Sequence, residues 1–466
     1  MSVGDSNHRR WLVITVIVAA VFMSNLDLWI VNVAFVDMGR GFHASLSSLS
    51  WVLNAYAVTL AALLIPGGRL GDRIGHRRVF LVGITVFTLA SVACALAPNV
   101  GVLVFARIVQ AAGAAAQLPT SLALLLAAVP ESARTSAARG WSAVGALSAV
   151  AGPVLGGLLV SISWRWVFLV NLPVGVLTVI AGRSVLPHPP AREREPLPDL
   201  VGSVLLIVAV ASLTGALVQA PTWGWTAPRT VGLVAVAVVG AVAFVRRCMT
   251  HPHPMVELPL LQIRRFAMAN AATVLFSVAF GIMLLSNALW CQDVWHYSAL
   301  RTGLAMAPGP AMVPIVTFAS ARLVARIGSG PVAAIGSVVF GAGLAWLVAL
   351  AGTTPDYLRE LLPSMIIGGI GVGLALSTLI AAGATALPDH RAATGSAFIN
   401  SARQIASALG VAVLVTILGS RASVLHNYDL AWTVAAALAV VCAAVSLALP
   451  AASPATDEAR AVTVVR

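Results

Sequence analysis

Apolar residues in this 466-residue chain gather in long runs rather than in the strict alternation of a half-buried strand. A bilayer core about 30 Å thick needs roughly 20 apolar residues per crossing helix. Fourteen such runs are separated by polar, Gly-rich or Pro-rich breaks. The first seven lie near 11–36, 46–67, 79–97, 101–129, 138–160, 164–185 and 199–219. The second seven lie near 229–245, 267–290, 302–324, 331–351, 359–387, 395–419 and 430–449. The hydrophilic connections are short, the longest being 186–198 and 246–266, so no extramembrane ATPase or receptor head is expected. His8-Arg9-Arg10 before the run from Trp11 to Val36 has the charged start of a signal peptide, but the run is too long and shows no clear small-residue cleavage site. It reads as a retained first helix, and the expected fold is an all-α polytopic membrane protein with 14 transmembrane helices.

Charge orients this array. With the N-terminus inside, the even-numbered connections and both tails hold 20 arginines, and the opposite side holds six: Arg40, Arg165, Arg229, Arg301, Arg359 and Arg421. The remaining two, Arg107 and Arg403, fall inside spans. That asymmetry is what the positive-inside rule expects of a cytoplasmic N-terminus and an even number of helices. Only 9% of residues are charged and 59% are hydrophobic, where a soluble chain carries roughly 25% charged residues. All 28 basic residues are Arg, which excludes a P-loop lysine and Schiff-base chemistry. The formal charge of +12 is dispersed among apolar runs and fits membrane topology rather than a nucleic-acid patch. Cys94, Cys248, Cys291 and Cys442 are far apart and have no ligand spacing, so they read as packing residues.

An internal repeat divides the chain. Gly67-Gly-Arg-Leu-Gly-Asp72-Arg-Ile-Gly75-His-Arg-Arg-Val79 and Ser320-Ala-Arg-Leu-Val-Ala325-Arg-Ile-Gly328-Ser-Gly-Pro-Val332 agree at six of thirteen positions, at an offset of 253. Each copy follows a span on the cytoplasmic side, and the copies are eight spans apart. Parallel halves related by an axis along the membrane normal are a known transporter plan. The expected architecture is two six-helix pseudo-symmetric bundles, 1–185 and 267–466, with two inserted helices and their linkers in 186–266.

Of 16 acidic residues, Asp27 alone is expected well inside a span. A carboxylate in hydrocarbon must face a cavity, find a partner or take up a proton, so Asp27 is the candidate that exchanges a proton for a substrate group. The competing reading is a solvated cap near the outer end of its helix. Arg107, Gln110, Ala114, Gln117 and Ser121 form a polar stripe on the fourth span at helical spacing, and such a stripe faces protein or water. Arg107 is expected to line a cavity and modulate Asp27, or to bond helix-end carbonyls. Ser396, Asn400, Arg403, Ser407 and Gly410 repeat the stripe on the thirteenth span, as a functional seam or as interhelical packing. Gly145, Ala149, Gly152 and Gly156 share a face of the fifth span with Pro153 among them, which suits close helix approach at a gate or ordinary tight packing. Gly368, Gly369, Gly371 and Gly373 are similarly permissive on the twelfth span. Asp72 and the arginines of 68–78 are expected to form cytoplasmic charge pairs that work as a network. His251-Pro-His253-Pro with Glu257 nearby reads as a loop, and no metal is assigned.

These motifs resemble the major facilitator superfamily, and within it the fourteen-helix drug:proton antiporters. Gly68, Asp72, Arg73, Gly75, Arg77 and Arg78 resemble its signature loop between the second and third helices, with His76 at a usually basic position. Leu103 through Arg107 and Gln110 to Gly113 resemble the Arg-bearing motif of the fourth helix, and Gly145 through Gly152, Pro153, Gly156 and Gly157 the antiporter motif. Leu26-Asp27-Leu-Trp29-Ile-Val-Asn32 and Trp164-Arg165-Trp166-Val-Phe168-Leu-Val-Asn171-Leu-Pro173 suggest the fourteen-helix branch. The departures are Trp29, where a smaller residue is usual, and Ala325, where the second loop lacks an acid.

The resemblance implies proton-coupled efflux of lipophilic drugs or antibiotics, cationic or neutral, by alternating access, with Asp27 and Arg107 coupling proton to substrate. Trp29, Asn32, Tyr56, Gln110, Gln117, Asn400 and Arg403 are expected to line the cavity, and Trp29 and Tyr56 to stack on flat or cationic substrates. A lone carboxylate disfavours dications. The alternative is a proton-coupled transporter of one specific metabolite. A membrane enzyme would need a catalytic cluster that the scattered acids do not form. No cofactor is expected beyond the proton gradient, and the expected partners are the lipophilic substrate, protons and the bilayer, without nucleic acid. The expected setting is a monomer in a bacterial inner membrane with both termini cytoplasmic.

Overall fold

The computed structural model describes residues 3–188, 196–387, 392–419 and 423–450, and every regular element among them is helical. Fourteen helices are long and apolar enough to cross a bilayer. They are α1 (Val3–Phe42), α2 (Leu46–Ile74), α3 (His76–Ala95), α4 (Val100–Ala128), α5 (Arg134–Val160), α6 (Trp166–Val185) and α7 (Leu200–Trp223). Then follow α8 (Pro228–Thr250), α9 (Arg264–Val294), α10 (Ala299–Ile327), α11 (Ser329–Leu350), α12 (Tyr357–Ala384), α13 (Ala392–Leu418) and α14 (Val424–Leu447). Of the arginines that set the charge asymmetry, Arg192, Arg194, Arg391, Arg421, Arg460 and Arg466 lie outside the described residues.

Several helices outrun their apolar stretches. α1 continues through Asp37 and Arg40 to Phe42, and α8 continues through Arg246 and Arg247 to Thr250. Hydropathy ends where charge begins, but arginine is a good helix former and a cation suits the C-terminal end of the dipole, so the helix carries on. Side-chain caps fix other ends. Ser45 Oγ accepts the Ser48 amide at 3.2 Å to start α2, and Asn99 Oδ1 accepts the Val102 amide at 3.0 Å to start α4.

The repeated loop motif acquires a backbone reason. Gly75, between α2 and α3, has φ +101°, and Gly328, between α10 and α11, has φ +89°. Each donates its amide one turn back, to Gly71 at 3.0 Å and to Val324 at 2.9 Å. A side chain is strained at such φ values, so both copies keep glycine where the chain reverses.

The chain divides into two compact units, one of residues 1–207 and 298–303, the other of 208–297 and 304–466. In the first, α3 packs on α4, α2 on α4, α1 on α5, α3 on α6, and α1 on α6 and α4. In the second, α11 packs on α12, α10 on α12, α9 on α13, α11 on α14, and α9 on α14 and α12. Every pairing of the second unit is one of the first shifted by eight helices. The remaining helices, α7 and α8, fall outside this scheme, and α7 is divided at 207/208 between the units. α8 exposes Val231, Val234, Val238, Val239 and Val242, a surface suited to lipid tails.

Small residues let the helices of the first unit approach closely. A Cβ added to Gly113 of α4 would lie 2.6 Å from the Phe87 amide nitrogen of α3 and 2.7 Å from the Gly83 carbonyl oxygen. Both obstacles are backbone, so neither can swing aside. In the second unit α9 ends in a π-turn, Trp290–Val294, and α12 begins with one, Tyr357–Leu361. The Gly352 carbonyl accepts Trp295 Nε1 at 2.9 Å while its amide donates to Glu360 Oε2 at 2.9 Å, tying the two turns together.

Overpacking a tight interior costs about 1–3 kcal/mol. Gly113→Ala is therefore expected to lower the melting temperature of the purified protein, whereas Gly232→Ala on α8, where an added Cβ meets nothing within 4 Å, should keep or slightly raise it through the better helix propensity of Ala. Equal melting temperatures for the two variants would contradict the α3–α4 packing described.

Candidate functional site

Asp27 lies 15 residues before the end of α1 and is 1% exposed. The solvated-cap reading fails on that burial. Its carboxylate accepts three side chains: Oδ2 takes Arg107 Nη1, and Oδ1 takes Gln110 Nε2 at 2.9 Å and Asn171 Nδ2 at 3.2 Å. Arg107, also 1% exposed, is held on several sides. Its Nη1 donates to Gln110 Oε1 at 2.6 Å and its Nε to the Val52 carbonyl at 3.2 Å, while the guanidinium carbon lies 3.9 Å from the Tyr56 ring centroid and 5.8 Å from that of Phe168. Ser91 Oγ closes the network by accepting Gln110 Nε2 at 2.8 Å and Asn171 Nδ2 at 3.2 Å. Cys94 Sγ stands 3.7 Å from Gln110 Oε1. Five helices, α1, α2, α3, α4 and α6, thus meet around one ion pair.

The α4 stripe puts its members where helical spacing places them, but their surroundings are drier than expected. Gln110, Gln117 and Tyr56, expected on a cavity wall, are all enclosed within the first unit, as is Arg107. Tyr56 has a face of its ring under the guanidinium, so that face is not free to stack on a substrate. Gln117 Nε2 donates to the Ala20 carbonyl at 2.8 Å and to Ser24 Oγ, and Ser121 Oγ accepts Trp141 Nε1 at 2.9 Å. Asn32 turns back on α1, its amide donating to the Leu28 carbonyl at 3.0 Å. Buried amides such as these take partners within the bundle, although Gln117 Oε1 and the Tyr56 hydroxyl find none among the described residues.

Trp29 is half-buried and fills a notch in α5. A Cβ on Gly152 would collide with the Trp29 side chain, one on Gly156 would lie 3.0 Å from Ile30, and Gly145 faces Asn25 at 3.8 Å. Pro153 and Gly157 face the start of α10 in the same unit, where a Cβ on Gly157 would lie 2.6 Å from the Ala299 carbonyl oxygen. A Trp after Leu28 is therefore matched by the glycines of α5.

At the cytoplasmic loop, Asp72 pairs with His76 one turn on, 3.3 Å away. Arg77 reaches the Arg183 carbonyl and the His188 ring, and Arg78 is exposed. Gly68 lies against Pro119, and Gly71 is packed between Thr120 and His76. Arg73 is engaged as well. In the second unit, Asn400 Nδ2 donates to the Ser396 carbonyl at 2.9 Å, and Arg403 Nη2 contacts Asn400 Oδ1 at 3.5 Å. Among the described residues no three His, Cys, Asp or Glu side chains gather as a metal site.

Two members of the Asp27 network were not among the expected site residues. Asn171 stands in the Trp164–Pro173 motif but is the one polar side chain on its turn of α6, so no stripe marks it. Ser91 resembles any small polar residue of a membrane helix until Gln110 and Asn171 are seen to share it.

A family model described as the Major Facilitator Superfamily matches residues 17–411. The chain belongs to the major facilitator superfamily. This superfamily member is 36% identical over 418 residues to a protein of Mycobacterium tuberculosis named multidrug resistance protein Stp, covering 89% of this chain and 77% of that one. It is 33% identical over 410 residues to the methylenomycin A resistance protein of Streptomyces coelicolor, covering 87% of this chain and 85% of that one. The solved structure of a D-xylose-proton symporter superposes with a TM-score of 0.68 at 13% identity over 94% of this chain and 97% of its own, a likeness of fold. The facilitator is thus a multi-pass membrane transport protein rather than an enzyme, and its relatives carry drug and antibiotic resistance names.

Breaking a buried ion pair by removing one partner costs about 3–5 kcal/mol, whereas replacing both by apolar groups is often neutral. Asp27→Ala should therefore melt at a lower temperature than the double variant Asp27→Ala/Arg107→Met. A double variant no more stable than the single one would show that the pair is not what Asp27 contributes to the fold.

Proposed function

We propose that this facilitator exports lipophilic drugs or antibiotics from a bacterial cytoplasm by alternating access, driven by the proton gradient. It acts as a monomer in the inner membrane with both termini cytoplasmic, the orientation favoured by the arginine distribution. The observation that carries the reading is Asp27: a carboxylate in the membrane-spanning interior, held by Arg107, Gln110 and Asn171. The resistance names of the relatives favour export of a foreign compound over uptake of a nutrient.

Protonation would act on this network as a switch. The carboxylate is an acceptor at both oxygens, and a proton placed on it cancels the charge that holds the guanidinium. Arg107 cannot give up its own proton, so it must find another acceptor, and α1 and α4 lose the one charged contact between them, keeping the Gln117 bonds to Ala20 and Ser24. Proton uptake is thereby converted into freedom between helices, which alternating access requires. Arg107 also neutralises Asp27 in the resting pair, so a dicationic substrate would find no spare negative charge here, and dications are expected to be poor cargo.

The test is uptake into inverted membrane vesicles carrying an imposed pH gradient, acid inside, with lipophilic dyes and antibiotics as cargo. Wild type should accumulate cargo and lose it when the gradient is collapsed, Asp27→Asn should fall to background while remaining in the membrane, and Asp27→Glu should retain part of the flux. Gradient-dependent accumulation by Asp27→Asn equal to that of wild type would sink the reading.

A further inference from the structure

The two arginines inside spans are treated very differently. Arg107 is saturated by a carboxylate, an amide oxygen, a backbone carbonyl and an aromatic face. Arg403 has a single long contact, Nη2 to Asn400 Oδ1 at 3.5 Å, and its Nε is closed off from solvent with no hydrogen-bond partner among the described residues. The residue nevertheless keeps part of its surface open. It is the twelfth of 27 residues in α13, about 16 Å from the start of the helix at 1.5 Å per residue.

Among the described residues no helix neighbour supplies the missing charge. α9, α12 and α14 pack on α13, and α7, which has no charged residue, meets its far end through Thr416 and the Leu217 carbonyl. The acids of α9, α12 and α14, Asp293, Glu360 and Asp429, all stand toward helix ends, and the other titratable residues there, Arg264, Arg265, Arg359 and His426, stand at helix ends too and supply no anion. Glu360 is already committed to the Gly352 amide. A guanidinium keeps its proton in any protein environment, and a buried charge without a counter-ion is strongly unfavourable. With Asp27 and Arg107 cancelling, Arg403 leaves one positive charge uncompensated at mid-depth, far below the level of lipid headgroups.

Resting on the export reading above, we propose that Arg403 is the recognition group for an acidic function on the cargo, so that the exported compounds include lipophilic organic acids bearing a carboxylate or sulfonate. The planar fork of a guanidinium matches such a group with two parallel hydrogen bonds, and Arg403 has only one long protein hydrogen bond to give up for it. A bound monoanion neutralises the membrane-embedded charge of Arg403. The proposal adds anions to the cationic or neutral cargo that the resemblance implies, and the Asp27 carboxylate that would meet a cation is already taken by Arg107.

The experiment measures binding to the purified full-length protein in nanodiscs of zwitterionic lipid, without any gradient. Three probes share one ring system: 9-anthracenecarboxylate, its neutral methyl ester and 9-anthrylmethylammonium. On wild type the carboxylate should bind at least about tenfold more tightly than the ester, the value of one charge-assisted hydrogen bond, and the cation most weakly. Arg403→Gln should erase the preference for the carboxylate and leave ester affinity unchanged, while Arg403→Lys should restore part of it. Equal wild-type affinity for carboxylate and ester, no binding of the carboxylate at all, or an undiminished preference in Arg403→Gln would each overturn the proposal. The wild-type comparison decides even if Arg403→Gln does not fold. If the carboxylate binds as expected but is not moved by a pH gradient in proteoliposomes, the proton-driven export reading falls and the anion site stands.

Discussion

Placing a carboxylate against a guanidinium in a dry helical bundle is unfavourable by several kcal/mol per ion unless the remaining lone pairs and protons are also met. In the first unit that condition organises the surroundings. Asp27 needs more than Arg107, so Gln110 and Asn171 complete its oxygens; Arg107 needs more than Asp27, so Val52 gives a carbonyl and Tyr56 a ring face. Bringing those groups within reach requires α1, α2, α3, α4 and α6 to converge at one depth. The glycines that let α3 and α4 touch through backbone atoms are what makes that convergence possible. The pair is a weak source of net stability and a strong specification of helix register, properties that would suit the switching role proposed for it.

Much of this was legible in the chain because bilayer chemistry is coarse. Twenty apolar residues in a row suit a bilayer crossing and little else, and a repeat eight spans apart foretells the eight-helix shift in packing partners. Asp27 and Arg107 stood out because charge in such runs is rare, and Gln110 because it shares a stripe with Arg107. Asn171 and Ser91 were not legible, since one uncharged polar residue on an apolar helix has no periodicity to betray it. Tyr56 was noticed as an aromatic, but that its ring would be spent on Arg107 rather than on a ligand depends on a crossing between α2 and α4 that no local pattern encodes. The π-turns at Trp290 and Tyr357 were equally invisible, because they are one-residue misfits in otherwise ordinary helical sequence.

The two units show how a duplicated frame can hold unlike chemistry. Their packing schemes coincide after the shift, and their reversals use glycine in the same left-handed conformation at 75 and 328. The interior of the first holds a charge-balanced network, whereas α9 and α12 place no charge in their interiors and α13 places a cation, Arg403, with no counter-ion among the described residues. Backbone geometry answers to the requirement that every amide be bonded in lipid, and it is shared by both halves. Side-chain chemistry is free of that requirement, and it has diverged.

The seat of Trp29 in the Gly152 notch lies two residues along α1 from Asp27. A rigid indole wedged against a neighbouring backbone is a steric key, and half a turn of helix is a short, stiff shaft. Any sliding of α5 must either carry that key along, twisting the carboxylate against its donors, or wait until the key is withdrawn. In the proposed proton-driven cycle, the fit at Gly152 and the protonation of Asp27 would therefore not be two independent variables, and the size of one side chain at position 29 would set how tightly they are geared.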